Sequence, residues 1–202
     1  MQLRAPAYPL ITVDPFFSVW SPADRLTDVD TAHWTGYTNA ILGTAEIDGK
    51  TYRFMGKERD GVPAMEQVSV DMDAFTTTYV YEAAGVRLTL LFTSPILPDD
   101  FYYLTRPVSY LSVQKEITDR HKHTVSFKIA VSEQICMNLA GDDEVVCEEL
   151  TLGNLSSVKM GTKSQNILGR YGDDLRIEWG YFYLSGKGET FVAKEDMTFV
   201  GI

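Results

Sequence analysis

The side chains best suited to chemistry include a pair of histidines in one short polar segment. His121 and His123 flank Lys122, and in an extended backbone both imidazoles would point to the same side. A metal site would need at least one further ligand, and none stands nearby at a recognisable spacing. We therefore interpret this segment as a solvated turn between two strands.

An acidic triplet near the N-terminus offers oxygen ligands. Asp24, Asp28 and Asp30 could in principle bind Ca²⁺, which prefers carboxylate oxygens. The segment lacks the glycine and the terminal glutamate of a calcium-binding loop. A turn stabilised by aspartate side chains is the better interpretation.

Other carboxylates occur in adjacent pairs, as at Asp99-Asp100 and Glu148-Glu149. Neighbouring side chains of an extended chain point in opposite directions, so neither pair forms a ready acid and base. The sequence contains no nucleophile elbow, phosphate-binding loop, dinucleotide fingerprint or CxxC motif. We assign no catalytic residue, no metal ligand and no cofactor to this chain.

The segment Thr31–Tyr37, TAHWTGY, combines an indole, an imidazole, hydroxyls and a permissive glycine between strand-like runs. Loops of this kind often bind ligands or contact another domain. Three interpretations stay open: a core corner, a docking surface for a second domain, and direct contact with a small ligand. With the aromatic residues before it, this segment supplies the candidate binding or docking residues, which are His33, Trp34, Tyr37, Trp20 and Phe16.

The sequence predicts short β-strands as the elements that position these residues. Asp48-Gly49 between apolar runs is a strong hairpin signal, and Ala84-Gly85 marks a second turn. No stretch sustains the 3.6-residue apolar period of a long amphipathic helix. The predicted strands are Thr38–Ile47, Thr51–Met55, Gln67–Met72, Thr76–Ala83, Val86–Thr93, Val108–Ile117, Thr124–Glu133, Val145–Leu152, Ser156–Met160, Arg176–Leu184 and Thr190–Val200, the last two joined by the turn Ser185–Glu189.

This pattern predicts an all-β fold, a large antiparallel β-sandwich of the supersandwich type with few or no long helices. Hydrophobic residues form 45% of the chain, which is enough for a packed core. With no internal repeat or linker, residues 1–202 are expected to form a single domain.

The net charge of −10 argues against nucleic acid or an anionic membrane surface as a partner. No apolar run has the length of a membrane span. The compartment stays open: cytoplasmic if Met1 is the native start, secreted or periplasmic if a signal peptide has been removed. Cys136 and Cys147 could bridge a hairpin, but buried free thiols are the preferred interpretation.

The stretches PLITVDPFFSVWSPADRLTD and HWTG resemble the N-terminal region of the glutaminase A-like family, and RPVSYLSVQKEI, from Arg106 to Ile117, extends the resemblance. The resemblance implies a β-sandwich set before an (α/α)-barrel of the six-hairpin glycosidase type. It also implies that the whole protein hydrolyses L-glutamine to glutamate and ammonia, with its catalytic residues downstream. The chain ends on FVAKEDMTFVGI, which still reads as a strand, so we expect a longer protein.

The predicted function is that of a non-catalytic N-terminal domain that packs against and supports the catalytic domain of the same chain. A small-molecule substrate shared with that domain is a possible partner. The alternatives are a carbohydrate-binding module and a purely structural shield for the barrel. An exposed coplanar row of rings would favour sugar binding, and a broad apolar patch near Trp34 would favour docking.

Overall fold

The computed structural model describes residues 5–194 and 197–202, and it is nearly all β, with 46% strand and 4% helix. The strands are β1 Tyr8–Ile11, β2 Val19–Ser21, β3 Ile41–Ile47, β4 Lys50–Met55, β5 Glu66–Met72, β6 Thr76–Ala83, β7 Val86–Thr93, β8 Tyr110–Ile117, β9 Val125–Ser132, β10 Val145–Leu152, β11 Leu155–Thr162, β12 Phe182–Gly186, β13 Phe191–Lys194 and β14 Thr198–Gly201. A one-turn helix, α1, spans Phe101–Leu104, and a 3-10 turn spans Glu133–Cys136. The all-β prediction without long helices is confirmed.

The strands form four antiparallel sheets within the described residues. The largest sheet has the order β13-β14-β9-β3-β4, and a second has the order β5-β6-β7-β8. A three-stranded sheet β10-β11-β12 and the short pair β1-β2 complete the fold. The central pairing joins β3 to β9, from Ile41 opposite Val131 to Ile47 opposite Val125.

A hydrophobic core lies between the two larger sheets. Burial alternates along β6 and β7, where Tyr79 and Tyr81 on one strand and Leu88 on the other are fully buried. From the facing sheet, the ring of Phe54 lies 6.3 Å from the ring of Tyr81. Full burial of an apolar side chain such as Leu88 or Phe54 stabilises the fold by about 1.5–3 kcal/mol. The apolar alternation thus explains the predicted sandwich.

Both predicted hairpin turns are present. Asp48 and Gly49 have φ values of 51° and 81° between β3 and β4, and Ala84 and Gly85 have φ values of 47° and 75° between β6 and β7. Two successive residues with positive φ match the twist of the flanking strands.

The strand predictions near the C-terminus are wrong in two places. The run Thr190–Val200 is not one strand but the hairpin β13–β14, and its residues Glu195 and Asp196 lie outside the described part of the chain. The run Arg176–Leu184 begins as an irregular segment, and β12 starts only at Phe182. The turn Ser185–Glu189 therefore leads from one sheet to another and does not close a hairpin.

The cysteines are unpaired, as predicted. Cys136 is buried, its Sγ donates to the carbonyl of Met160 at 3.5 Å, and burial raises the pKa of the thiol to about 12. Cys147 is only half-buried, so complete burial holds for Cys136 alone. Among the described residues, no helix is long and apolar enough to cross a membrane.

Gly43 provides a test of the packing between β3 and β4. A Cβ atom at this position would lie 2.1 Å from Cε2 of the fully buried Phe54. We expect Gly43→Ala to lower the free energy of unfolding by roughly 1–3 kcal/mol, because an overpacked core must shift. Urea unfolding measures the change, with Thr51→Ala on the exposed part of β4 as the control. Equal stability of the two variants would show that the ring relaxes freely.

Candidate functional site

The loop 31–37 is fixed at both ends by backbone hydrogen bonds. Ala32 and Trp20 exchange two bonds, of 2.9 and 2.7 Å, which extend β2 to the loop. At the other end the amide of His33 donates to the carbonyl of Tyr37 at 2.7 Å. Gly36, with a φ of +90°, allows the tight turn between them. This turn holds its side chains in one arrangement.

His33 is buried and joins two segments of the chain. Its Nε2 lies 3.1 Å from the carbonyl oxygen of Pro15, which can only accept, so Nε2 carries the proton. Nδ1 accepts from the amide of Thr35 at 3.3 Å and lies 3.0 Å from the hydroxyl of the same residue. Burial lowers the pKa of His33, and the positive charge of Arg176 lowers it further. The imidazole is neutral and acts as a structural link.

The N–H edge of the Trp34 indole is hydrogen-bonded, whereas the rest of the ring is largely exposed to solvent. Its indole Nε1 donates to the carbonyl of Pro15 at 2.7 Å, yet 55% of the residue is exposed. The ring lies 5.6 Å from that of His33, at an angle of 41°. An exposed indole with a satisfied N–H forms an apolar platform for another molecule or domain.

Arg176 joins the loop to a distant segment of the chain. It is only 5% exposed, and its Nη1 donates to the hydroxyl of Thr35 at 2.9 Å and to Asp174 at 2.5 Å. Its Nε donates to the carbonyl of Asn138 at 2.6 Å. The guanidinium also lies 4.2 Å from the ring centre of Tyr37. These contacts satisfy a buried charge, which would otherwise be costly.

The carboxylate of Asp174 stands at the rim of this site. Its side chain is 74% exposed, and the hydrogen bond from Arg176, followed by that from Thr35, lowers its pKa. The site therefore presents a negative charge that belongs to the same network as the Trp34 loop.

A second pair of rings lies in the same part of the molecule. The amide of Ile177 donates to the carbonyl of Phe16 at 2.8 Å, which draws the two segments together. The ring of Phe16 then lies 5.7 Å from that of Trp179, inclined by 59°.

The structure brings together most of the residues that the sequence singled out. His33, Trp34, Tyr37 and Phe16 are linked through Pro15 and through the segment 174–179. Trp20 supports the loop through its backbone, but its half-buried indole makes no ring contact with the others in the described part of the chain. The exposure of Trp34 is inconsistent with a core corner at that residue.

Sequence reasoning missed Asp174, Arg176 and Trp179. The strand predicted over Arg176–Leu184 includes Arg176 and Trp179 only as strand residues, and Asp174 lies outside every predicted strand. Charged residues within such a run could have indicated buried ion pairs. Glu178 is indeed buried, and both of its carboxylate oxygens accept from Nε of Arg170, at 3.0 and 3.1 Å.

The other polar clusters identified in the sequence form hydrogen bonds or ion pairs within the structure. Asp30 accepts two hydrogen bonds of 2.8 Å from Arg59, which fits a turn. His121 is exposed, but His123 is held between Asp48 and Asp119, so the prediction of a solvated turn is wrong for His123. Residues 5–194 and 197–202 contain no group of three or more side chains arranged to hold a metal ion.

The arrangement around Trp34 suits binding better than catalysis. The hydroxyl of Thr35, which contacts His33, already accepts from the buried Arg176. His33 has both ring nitrogens engaged and a lowered pKa. Neither group is available as a nucleophile or base, so the site offers an aromatic surface with a charged rim.

Two further segments expose apolar side chains. The connection from β7 to β8 exposes the rings of Phe101, Tyr102 and Tyr103. The loop before β12 exposes Ile167 and Tyr171. The exposed surface of the chain is therefore apolar in more than one place.

The fold and the site define an antiparallel β-sandwich that presents a fixed aromatic surface. The chain belongs to the family described as "Domain of unknown function (DUF5127)", whose model matches residues 76–200. Residues 1–66 match a second model, "Domain of unknown function (DUF4964)". Strands β3 and β4 of the first segment lie in the same sheet as β9 and β14 of the second, so the two matched segments share the five-stranded sheet.

A curated relative extends the comparison. The chain is 24% identical over 191 residues to Glutaminase A of Aspergillus oryzae. The alignment covers 89% of this chain and 27% of that protein, so the chain spans about a quarter of the length of the relative it matches. No solved structure matches the chain.

Arg176 can be tested as the link between the two segments of the site. We expect Arg176→Leu to lower the free energy of unfolding by roughly 2–3 kcal/mol, because hydrogen bonds from a charged group are lost in a buried place. The matched control is Arg106→Leu: Arg106 also lies over a ring, 3.9 Å from the centre of Tyr102, but is exposed. The control should change stability by less than about 0.5 kcal/mol. Equal effects in urea unfolding would contradict the role assigned to Arg176.

Proposed function

We propose that this chain is the non-catalytic N-terminal domain of a glutaminase A-like hydrolase and that it packs against a downstream catalytic barrel. The similarity to Glutaminase A, over 27% of that protein, supports a place within a longer chain. The sequence resemblance adds the expected barrel and the hydrolysis of L-glutamine. The site around Trp34 supplies an aromatic surface for binding, and its Thr35 and His33 are already engaged in hydrogen bonds.

The observation that supports this proposal most directly is that Trp34 is held in place and yet exposed. Its indole N–H is satisfied by Pro15 and its loop is held by Arg176 through Thr35, yet 55% of the residue is exposed. Fixing an apolar ring beforehand reduces the entropy that would be lost when it is covered. A fixed, open indole is therefore well suited to anchor a second domain.

The angles between the rings favour docking over sugar binding. An exposed row of coplanar rings would favour sugar binding. The rings next to Trp34 and Phe16 are inclined to them by 41° and 59°, and Tyr102 and Tyr103 meet at 88°. Of the stacked pairs among the described residues, Tyr79 with Tyr81 is fully buried, and Phe17 with Phe182 is half-buried and packs against the core.

Replacing Trp34 tests the docking surface. We expect Trp34→Ala to change the stability of residues 1–202 by less than about 1 kcal/mol, because the ring packs little in the isolated domain. In the full-length protein the same change should weaken the contact between domains by about 2 kcal/mol or more, as for other buried aromatic anchors. Thermal unfolding of both proteins measures the two effects. Tyr102→Ala, an exposed ring on a different loop, is the control.

The two alternatives give different results in that experiment. Collapse of residues 1–202 on Trp34→Ala would identify Trp34 as ordinary core and remove the docking role. Binding of soluble oligosaccharides to residues 1–202, lost in Trp34→Ala, would support the sugar-binding module instead.

The catalytic part of the proposal has its own test. Purified residues 1–202 should release no ammonia from L-glutamine, because Thr35 and His33 of the Trp34 site are engaged in hydrogen bonds and the resemblance implies catalytic residues downstream. An ammonia assay compares them with the full-length protein at equal molar concentration. Activity in residues 1–202 that a single substitution within them abolishes would contradict the proposal.

A further inference from the structure

His123 lies where turns from both large sheets meet, away from the Trp34 site. Its side chain is 10% exposed, although it belongs to the loop between β8 and β9. Nδ1 lies 2.6 Å from Oδ2 of Asp48, in the β3–β4 turn. Nε2 lies 3.1 Å from each carboxylate oxygen of Asp119. The imidazole thus bridges two carboxylates from different elements.

This geometry requires a doubly protonated ring. A neutral imidazole carries one N–H, so one of its nitrogens would face a carboxylate with a lone pair. The carboxylates are themselves fixed: Asp48 accepts from the amide of Thr124 at 2.9 Å, and Asp119 accepts from the amide of His121 at 2.8 Å. Neither can turn away without losing a further hydrogen bond.

The β6–β7 turn closes over the same group. A Cβ atom on Gly85 would lie 2.1 Å from Oδ2 of Asp119 and 3.0 Å from Nε2 of His123. The carbonyl of Gly85 also accepts from the amide of Thr118 at 2.8 Å. Asp48 lies in a turn of the five-stranded sheet and Gly85 in a turn of the four-stranded sheet, so His123 lies where one end of each sheet meets the other.

We propose that His123 is a proton-dependent clamp between the two large sheets. As an imidazolium it holds the β3–β4 turn against the β8–β9 loop beneath the β6–β7 turn. As a neutral ring it loses one of its two carboxylate partners, and this end of the sandwich loosens.

The charged groups around His123 set the direction of its response. Asp48 approaches from the β3–β4 turn, and Asp119 approaches from the loop of His123 itself. His121, on that loop too, is exposed, with its ring 6.4 Å away, and it lies 3.4 Å from Asp119. On the side of the β6–β7 turn, the neighbour of His123 is Gly85, which brings no charge.

These neighbours shift the pKa values in opposite directions. The hydrogen bond with Asp48, followed by that with Asp119, raises the pKa of His123. The amide of Thr124 and then His123 lower the pKa of Asp48, and the amide of His121 and then His123 lower the pKa of Asp119.

The sign of the pH dependence follows from these shifts. A histidine with a raised pKa in the folded state stabilises fully below its ordinary pKa of about 6.5, and this stabilisation is lost as the pH rises through the raised value. On the acid side, the contributions of the two aspartates are lost as the pH falls through their lowered values. The clamp is therefore closed in mildly acidic solution and opens on the alkaline side.

A titration of the unaltered chain by NMR tests the protonation directly. His123 should titrate above the ordinary histidine pKa of about 6.5, and the amide signals of Gly49, Gly85 and Thr118 should shift with it. Titration of His123 at or below about pH 6.5 would overturn the proposal.

Thermal unfolding tests the consequence for stability. Between pH 6 and pH 8.5 the melting temperature of the chain should fall, and the melting temperature of His121→Gln should fall by the same amount. His123→Gln should have a lower melting temperature at pH 6. Its melting temperature should also fall less between the two pH values, because glutamine cannot change its charge. A full pH dependence in His123→Gln would contradict the clamp. If that variant does not fold, Asp48→Asn, which keeps an acceptor for Thr124, should show the smaller fall.

Discussion

The pairing of β3 with β9 is the contact on which the rest of the molecule depends. These strands are separated by about 80 residues of chain, and closing such a loop is entropically unfavourable. Once formed, the pair supports β4 on one side and β14 on the other, and β4 carries Phe54, whose ring lies 6.3 Å from that of Tyr81. The loop of Trp34 leads directly into β3, so its position also follows from this long-range pairing.

Local signals predicted the parts of the fold that depend on neighbouring residues. The turn at Asp48-Gly49 and the strands β6 and β7 follow from backbone preference and apolar alternation, and both were predicted. The segment 163–181 could not be predicted in this way. Arg176 and Glu178 are stabilised by Asn138 and Arg170, which lie outside the periodic pattern of their own segment. The sequence of its loop predicts Trp34 as a site residue, whereas the role of Arg176 follows only from its burial in the folded structure.

Buried polar groups favour a single conformation in the irregular part of the molecule. Glu178 is paired with Arg170, and its carbonyl accepts a hydrogen bond of 2.5 Å from the hydroxyl of Thr162. Such contacts contribute little net stability compared with apolar burial, but leaving any one unpaired is costly. They therefore favour a single conformation of the segment that carries Arg176. A rigid base of this kind allows nearby rings to stay exposed without collapsing onto the surface.

The exposure of Trp34 also gives the protein an optical property. Of the three tryptophans, Trp20 and Trp179 are half-buried, and Trp34 alone is exposed. An indole in contact with water emits at longer wavelength than one in an apolar environment, so the red edge of the intrinsic fluorescence comes from this one residue. Any molecule or domain that covers the indole moves that emission towards the blue. The native sequence thus carries its own fluorescent reporter at the surface proposed for docking.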